Sequence, residues 1–385
     1  YNAPHAPFQV PECYFSLYKD KDLPRETAAV YAMVANLDEN VGRLLARLEE
    51  LRLSQDTVVL FLTDNGPNGR RYNAGLRASK GSVYEGGVRA PLFARWPGRF
   101  PPGRRVDTIA AHIDIYPTML ELCGVRAPQA LPLDGISIAP LLAGEPRRWP
   151  ERMLFTHREG KEKPSALYPG AVRTQRFNLV NGEELYDMDK DPGERNNVAA
   201  AYPEKVRELR AAYEAWYREA AAQCGFTRRP IPVGYPQENP VTLPAPQCYF
   251  RGALKFFGGA GYAHDWITNW ANTDDSVYWD IAVVRAGSYE VSLSYLCAKE
   301  DLGSKLAVTA GEATVEDTIR QPTSMAPRPN RDLIPRTETP EMHWGTLVLG
   351  SLRLPQGRQQ LTVKALSKPG RAVMDLKSVS LRRLA

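Results

Sequence analysis

The feature that most constrains this chain is a change in the period of its apolar residues. Between residues 25 and 53, Val30, Met33, Val34, Leu37, Val41, Leu44, Leu45, Leu48 and Leu51 recur at three- and four-residue steps, the spacing of one helix face. A continuous apolar run, "TVVLFL", follows and ends at Asp64-Asn65-Gly66. A short run without alternation reads as a strand covered on both faces. Helix followed by covered strand is the pattern of a parallel α/β layer. "GGVRAPLFARWPG" predicts a second strand, and "HIDIYPTMLELCG" a helix with Asp114 as N-cap and Gly124 as its stop. After Arg147 the period shortens. "RMLFTHREG" predicts a strand, and "AVRTQRFNLVNGEELYDM" predicts two strands joined at Asn181-Gly182, a hairpin signal. An amphipathic helix from Pro203 is expected to pack back across that hairpin. Residues 225–247 carry six prolines and no period, which predicts a stiff extended linker. From Cys248 onward, short alternating segments split by Gly and Pro predict a β-sandwich.

The expected organisation is therefore an α/β catalytic core over 1–147, a small antiparallel subdomain over 148–224, a linker over 225–247 and an all-β sandwich over 248–385. A length of 385 residues accommodates this. No apolar run approaches the roughly 18 residues of a membrane span. The five cysteines lack C-x-x-C spacing, which argues against a zinc ribbon or a disulfide scaffold. A net charge of +5 suits anionic small molecules but makes no nucleic-acid stripe.

The chemistry concentrates in "TDNGPNGRRYNAGLRASKGSVYEGGVRAP", Thr63 to Pro91. In open α/β sheets ligands bind beyond the carboxyl ends of the strands, where Asp64 and Asn65 fall. A carboxylate beside an amide oxygen suits a hard cation, Ca²⁺ or Mg²⁺. Taken alone, Asp-Asn-Gly reads first as an ordinary turn. Lys80 stands among glycines that admit close approach of a ligand, and its ammonium can hold a sulfate or phosphate oxygen. It can equally be a solvated loop lysine. His5, framed by prolines in "YNAPHAPF", is a candidate proton donor or a packing histidine.

Together these segments resemble the sulfatase family of the alkaline-phosphatase-like superfamily. The resemblance is carried by "PHAPF", "VANLDENVGRLLARLEEL", "VLFLTDNGP", "ASKGSVYEGGVRAPLFARWPG", "HIDIYPTMLELCGV", "LDGISIAPLL", "AVRTQRFNLV" and "ELYDMDKDPGERNNVA", in the family's order, over roughly residues 1–222. It implies a mixed-sheet α/β fold and a sulfuric ester hydrolase. Asp64 and Asn65 would be two ligands of one Ca²⁺, with Asp64 also near the nucleophile. Lys80 would contact the sulfate and the leaving oxygen, and His5 would protonate the leaving alcohol. Glu85, Gly86, Gly87 and Arg89 match a neighbouring structural segment, His157 a substrate-facing position. His112 is read as structural.

The resemblance also implies a formylglycine nucleophile, made from Cys or Ser in a C/S-x-P/A-x-R motif, and two early aspartate ligands. None of that early segment is present, and the chain opens on Tyr1 rather than Met. The expectation is a processed or truncated chain that begins midway through the catalytic domain and is inactive alone. Cys224 in "CGFTR" has Phe226 where Pro or Ala belongs. Ser324 in "SMAPR" fits the bare motif but lies in the C-terminal module, so both are set aside. Sulfated carbohydrate is the expected partner, without nucleic acid or a membrane span. The family implies a periplasmic or secreted location. Two alternatives stay open: a phosphodiesterase or phosphonate hydrolase on the same scaffold, and a non-catalytic glycan-binding protein. Asn65 favours one hard cation over the two zinc ions of some relatives, which place His there.

The C-terminal module is rich in aromatics: Tyr262, Trp266, Trp270, Tyr278 and Trp279. It loosely resembles β-sandwich accessory modules of bacterial carbohydrate-active enzymes. These rings can fill the core, the favoured reading, or stack on sugars beside Asp265, Asn269, Asp274 and Asp275.

Overall fold

In a computed structural model of the protein, all residues are described except 70, 127–131, 146–148, 159–165, 225–227, 263, 331, 336–337, 385 and the side chain of Cys224. Residues 225–227 of "CGFTR", the 147/148 boundary and the first residues of the expected linker thus lie outside the described residues. The chain divides into two compact units: Tyr1–Leu37 with Arg228–Ala385, and Asp38–Thr227.

A single-turn helix α1 (Glu12–Phe15) precedes the long helix α2 (Arg25–Glu50). The three-four spacing is confirmed as helix. Its apolar stripe is buried only in the first half, where Ala28, Ala29 and Ala32 pack with Phe15, Leu333 and Ile334. Leu44 remains exposed.

In the 38–227 unit, β1 (Val59–Leu62) pairs antiparallel with β2 (Leu92–Arg95) in a two-stranded sheet. This corrects the expected parallel, doubly covered strand. All four residues of β1 are only half-buried, and Phe93 opposite Phe61 is exposed. A parallel pair needs a crossover, usually helical, to carry the chain back to the same edge. Among the described residues of 63–91 the only helix is the four-residue α3 (Glu85–Val88), and the next strand returns antiparallel.

The helix α4 (Ile115–Leu122) stops at Gly124, at φ +66°, with Val125 N–H donating to Leu120 O at 2.8 Å, as the sequence predicts. Its start differs. A 3₁₀ turn over His112–Asp114 precedes it, and the buried Asp114 carboxylate reaches back to Ala111 N–H and across to Ile136 N–H. Arg152 donates to both Asp114 oxygens at 2.9 Å. Asp114 thus ties three segments together rather than capping the helix. A short helix α5 (Ala139–Ala143) follows.

Strands β3 (Leu154–His157), β4 (Gly170–Arg173), β5 (Phe177–Val180) and β6 (Glu184–Asp187) form an antiparallel sheet in sequence order. Asn181-Gly182 turns the β5–β6 hairpin, both at positive φ. The expected two strands over 171–188 are three. Helix α6 (Pro203–Cys224) covers one face: Leu209 and Tyr213 pack on Val172, Leu179 and Leu185. The opposite face carries Ala171, Val180 and Tyr186 against Val83 and Tyr84.

In the other unit, two six-stranded sheets enclose one core. Strands β7 (Ile231–Val233), β8 (Val241–Pro244), β9 (Tyr249–Arg251), β10 (Lys255–Phe256), β11 (Ile267–Thr268) and β12 (Ser276–Val283) come first. They are followed by β13 (Gly287–Leu296), β14 (Lys305–Ala310), β15 (Ala313–Thr318), β16 (Gly345–Leu354), β17 (Gly357–Ser367) and β18 (Asp375–Arg383). One sheet runs β10-β11-β18-β13-β16 with β8 beside β18. The other runs β15-β14-β17-β12-β7 with β9 beside β12. The expected sandwich is present, and the proline-rich stretch is part of it. Strand β7 pairs with β12, β8 pairs with β18, and Val233 and Leu243 are fully buried. Prolines are tolerated there because β7 is an edge strand and Pro244 ends β8.

Trp266, Trp270 and Trp279 lie in the interior, so the core reading holds for them. Asp265 and Asp275 are buried and accept backbone N–H bonds from Gly258 and Ala253. Only Tyr262 of the five aromatics is largely exposed, and Tyr278 is half-buried.

Candidate active site

The strand end and the lysine loop are held together by backbone. Gly66 N–H donates to Gly87 O at 2.9 Å, Lys80 N–H to Pro67 O at 2.9 Å, and Gly86 N–H to Arg77 O at 2.8 Å. The glycines are required by this close approach. A Cβ on Gly66 would meet Gly86 O at 2.0 Å, one on Gly86 would meet Arg77 O at 2.3 Å, and one on Gly87 would meet Ser82 O at 2.3 Å. The structure therefore brings the Asp64-Asn65 corner and Lys80 into one loop cluster at the end of β1.

The side chains there are left available. Asn65 Nδ2 donates to Gly66 O at 2.9 Å. Asp64 and Lys80 are exposed, and among the described residues neither has an ion-pair partner. His112 Nε2 lies 2.9 Å from Thr63 O, so this histidine braces the residue just before Asp64. The free oxygens of Asp64 and Asn65 match a hard cation in kind. Ca²⁺ takes roughly six to eight oxygens, and the described residues contain no group of three or more His, Cys, Asp or Glu side chains placed to hold a metal. By itself the corner offers fewer oxygens than such an ion takes.

The loop is anchored to the four-stranded sheet by a polar network. Arg77 lies over the Tyr84 ring at 4.1 Å and donates to Glu184 at 3.1 Å and to Tyr84 OH at 3.2 Å. Tyr84 O–H donates to Glu184 at 2.8 Å, and burial with that carboxylate pushes the phenol up to about 12. Below them, Glu194 accepts from Glu85 N–H at 2.8 Å and from Asn178 Nδ2 at 2.7 Å. Burial raises the Glu194 carboxyl to about 7. Glu85, also buried, pairs with Arg173 at 3.2 Å and with Arg89 at 3.5 Å. Glu85, Gly86 and Gly87 thus have the structural role the sequence suggests.

The two histidines differ from this cluster. His157 ends β3 on the face covered by α6. Its Nδ1 lies 2.8 Å from Tyr213 OH, its ring is 5.3 Å from that of Tyr217, and burial lowers its pKa. Tyr213 O–H donates to Leu167 O, so His157 Nδ1 carries the proton in that bond. The Arg158 guanidinium lies 3.6 Å from where a Cβ on Gly81 would stand, beside Lys80. Arg158 follows the last residue of β3, and sequence reasoning missed it because its approach to Gly81 is a long-range contact that no local pattern marks. His5 belongs to the other unit, where its Nδ1 lies 2.9 Å from Ala6 O and 3.9 Å from Glu338 Oε1. Ser324, of the bare nucleophile motif, is exposed between β15 and β16 and accepts from Ala326 N–H.

Comparison with known proteins adds to this geometry. A family profile described as "Sulfatase" matches residues 1–125, and one described as "N-sulphoglucosamine sulphohydrolase, C-terminal" matches 78–216. Arylsulfatase A of Homo sapiens is 36% identical over 206 residues, covering 45% of this chain and 40% of that protein. A sulfatase of Formosa agariphila is 33% identical over 248 residues, covering 57% and 45%. The crystal structure of Ps i-CgsB in complex with k-i-k-neocarrahexaose is similar with a TM-score of 0.51 and 26% identity, covering 56% of this chain and 48% of that one. The chain spans less than half the length of these proteins. With two ordered profile matches over 1–216 and the Asp64-Asn65-Lys80 cluster falling within the first, residues 1–125 of this chain are of the sulfatase family.

Proposed function

We propose that this chain serves the hydrolysis of sulfate esters borne on a glycan. Asp64 and Asn65 supply two oxygens to a Ca²⁺ ion, whose charge neutralises the sulfate when bound. Lys80 holds a sulfate oxygen and the leaving oxygen, with the Arg158 guanidinium beside it. His5 donates the proton to the departing alcohol, and His157 supports the substrate-facing end of β3. Formylglycine, in the family, supplies the nucleophile. Charge grows on the leaving oxygen as the S–O bond breaks, and fixed cations and a proton donor act on that charge. The observation that carries this reading is the backbone-stapled cluster that presents a carboxylate, an amide oxygen and an ammonium, with no ion-pair partner for Asp64 or Lys80 among the described residues. The glycan part is supported by family membership together with the likeness to a structure holding an oligosaccharide.

The test is hydrolysis of matched aryl sulfate and aryl phosphate esters, and sulfate release from sulfated oligosaccharides, by the intact protein. Turnover of the sulfate and of a sulfated oligosaccharide is expected. Preference for the phosphate would favour a phosphoesterase on this scaffold, and no turnover of either would sink the reading.

A further inference from the structure

The sandwich carries a second charged feature away from its core. On the outer face of the β12-containing sheet, Tyr249 and Tyr278 stand directly opposite across β9 and β12. Their rings stack at 5.3 Å and 20°. Arg228 lies over the Tyr249 ring at 5.0 Å, and Arg251 over the Tyr278 ring at 5.0 Å. The result is an Arg-Tyr-Tyr-Arg stack. The cross-strand register continues it: Ser276 stands between Arg251 and Lys364, and Tyr278 faces Thr362.

Each tyrosine ring packs against the other and against an arginine, and the feature presents two guanidinium groups, each 5.0 Å from a ring centroid. Arg228 spends one donor on Cys248 O at 3.0 Å. Among the described residues no carboxylate pairs with Arg228, Arg251 or Lys364, and all three are exposed. On the same face Asp280 lies two residues along β12 from Tyr278, and Glu316, two strands from Lys364, is paired with Lys305. Planar guanidinium groups with free N–H edges bind sulfate in two-point fashion, and holding them in place lowers the entropy cost of binding.

We infer that this stack is a binding site for a sulfated polysaccharide, with Arg228, Arg251 and Lys364 each taking a sulfate of one chain. It deepens the proposed function, resting on the glycan reading of the substrate, and gives the sandwich the task of retaining the polymer.

The probe is dextran sulfate, titrated against the 385-residue chain by calorimetry, with unsulfated dextran and duplex DNA as comparators. Dextran sulfate is expected to bind in a salt-dependent way, dextran not at all and DNA more weakly. The double variant Arg228→Gln/Arg251→Gln should weaken dextran sulfate binding by about tenfold or more, since a site with two fewer cations releases fewer counterions from the polyanion. Its melting temperature should be unchanged. Arg353→Gln, an exposed cation on the other sheet, should change binding by less than about twofold. Unaltered binding in the double variant, equal weakening in the Arg353 variant, or DNA binding as tight as dextran sulfate would each overturn the inference. Aryl sulfate turnover should not respond to the double variant. Absence of any sulfatase activity would sink the proposed function and leave this binding result to stand or fall by itself.

Discussion

At the scale of single residues, the site depends on what is missing from side chains as much as on what they carry. Gly66 has no Cβ because the Gly86 carbonyl occupies that place at 2.0 Å. Gly66→Ala should therefore lower stability by about 1–3 kcal/mol through overpacking and disturb the Asp64-Asn65 corner, read as a fall in melting temperature with loss of Ca²⁺ affinity. A variant as stable and as active as the parent would show that the loop is not held as described. Lys80 is the converse case. Its side chain is exposed and has no ion pair among the described residues, so Lys80→Ala should leave melting unchanged. Its kcat/KM on a sulfate ester should drop about 100- to 1000-fold, as for loss of one donor to a developing oxyanion. Asp64, Asn65 and Lys80 were legible in the sequence because short motifs carried them. Arg158 was not, because locally it reads as a solvated arginine after a strand, and only its long-range approach to Gly81 sets it beside Lys80.

At the scale of elements, the loop that carries Lys80 is fastened to the β3–β6 sheet through Arg77, Tyr84, Glu184 and Glu194. Burial raises the Glu194 carboxyl from 4.5 to about 7, against its two N–H donors. The folded state therefore holds this proton more tightly than the unfolded chain. Its contribution favours folding at low pH and is lost as pH rises from about 4.5 through 7. The melting temperature of the parent should decline more steeply across that window than that of Glu194→Gln. Equal slopes would show that Glu194 titrates normally. The helices over 25–50 and 203–224, and the Asn181-Gly182 turn, were readable from period and turn chemistry. The β1–β2 pairing was not. An apolar run reports that a strand exists, while the direction of its partner depends on how the chain between Thr63 and Pro91 returns, which period does not encode.

At the scale of the whole molecule, the sandwich core is the largest apolar cluster described, and Trp279 sits inside it with its Nε1–H on Pro244 O. Trp279→Ala should cost about 3–5 kcal/mol, seen as an early melting transition, whereas an unchanged thermogram would place Trp279 outside the cooperative core. By itself the sequence determined the family, the helices, the sandwich strands and the identity of the Asp64, Asn65 and Lys80 cluster. Each of these is written in local spacing, in turn residues or in short motifs. Only the tertiary structure decided that the proline-rich stretch supplies two sandwich strands, that His157 faces a helix while Arg158 faces the lysine loop, and that two arginines and two tyrosines form one stack. Those outcomes depend on strand register and on pairs of residues far apart in the chain, and a sequence read along its length does not carry which distant partners will meet.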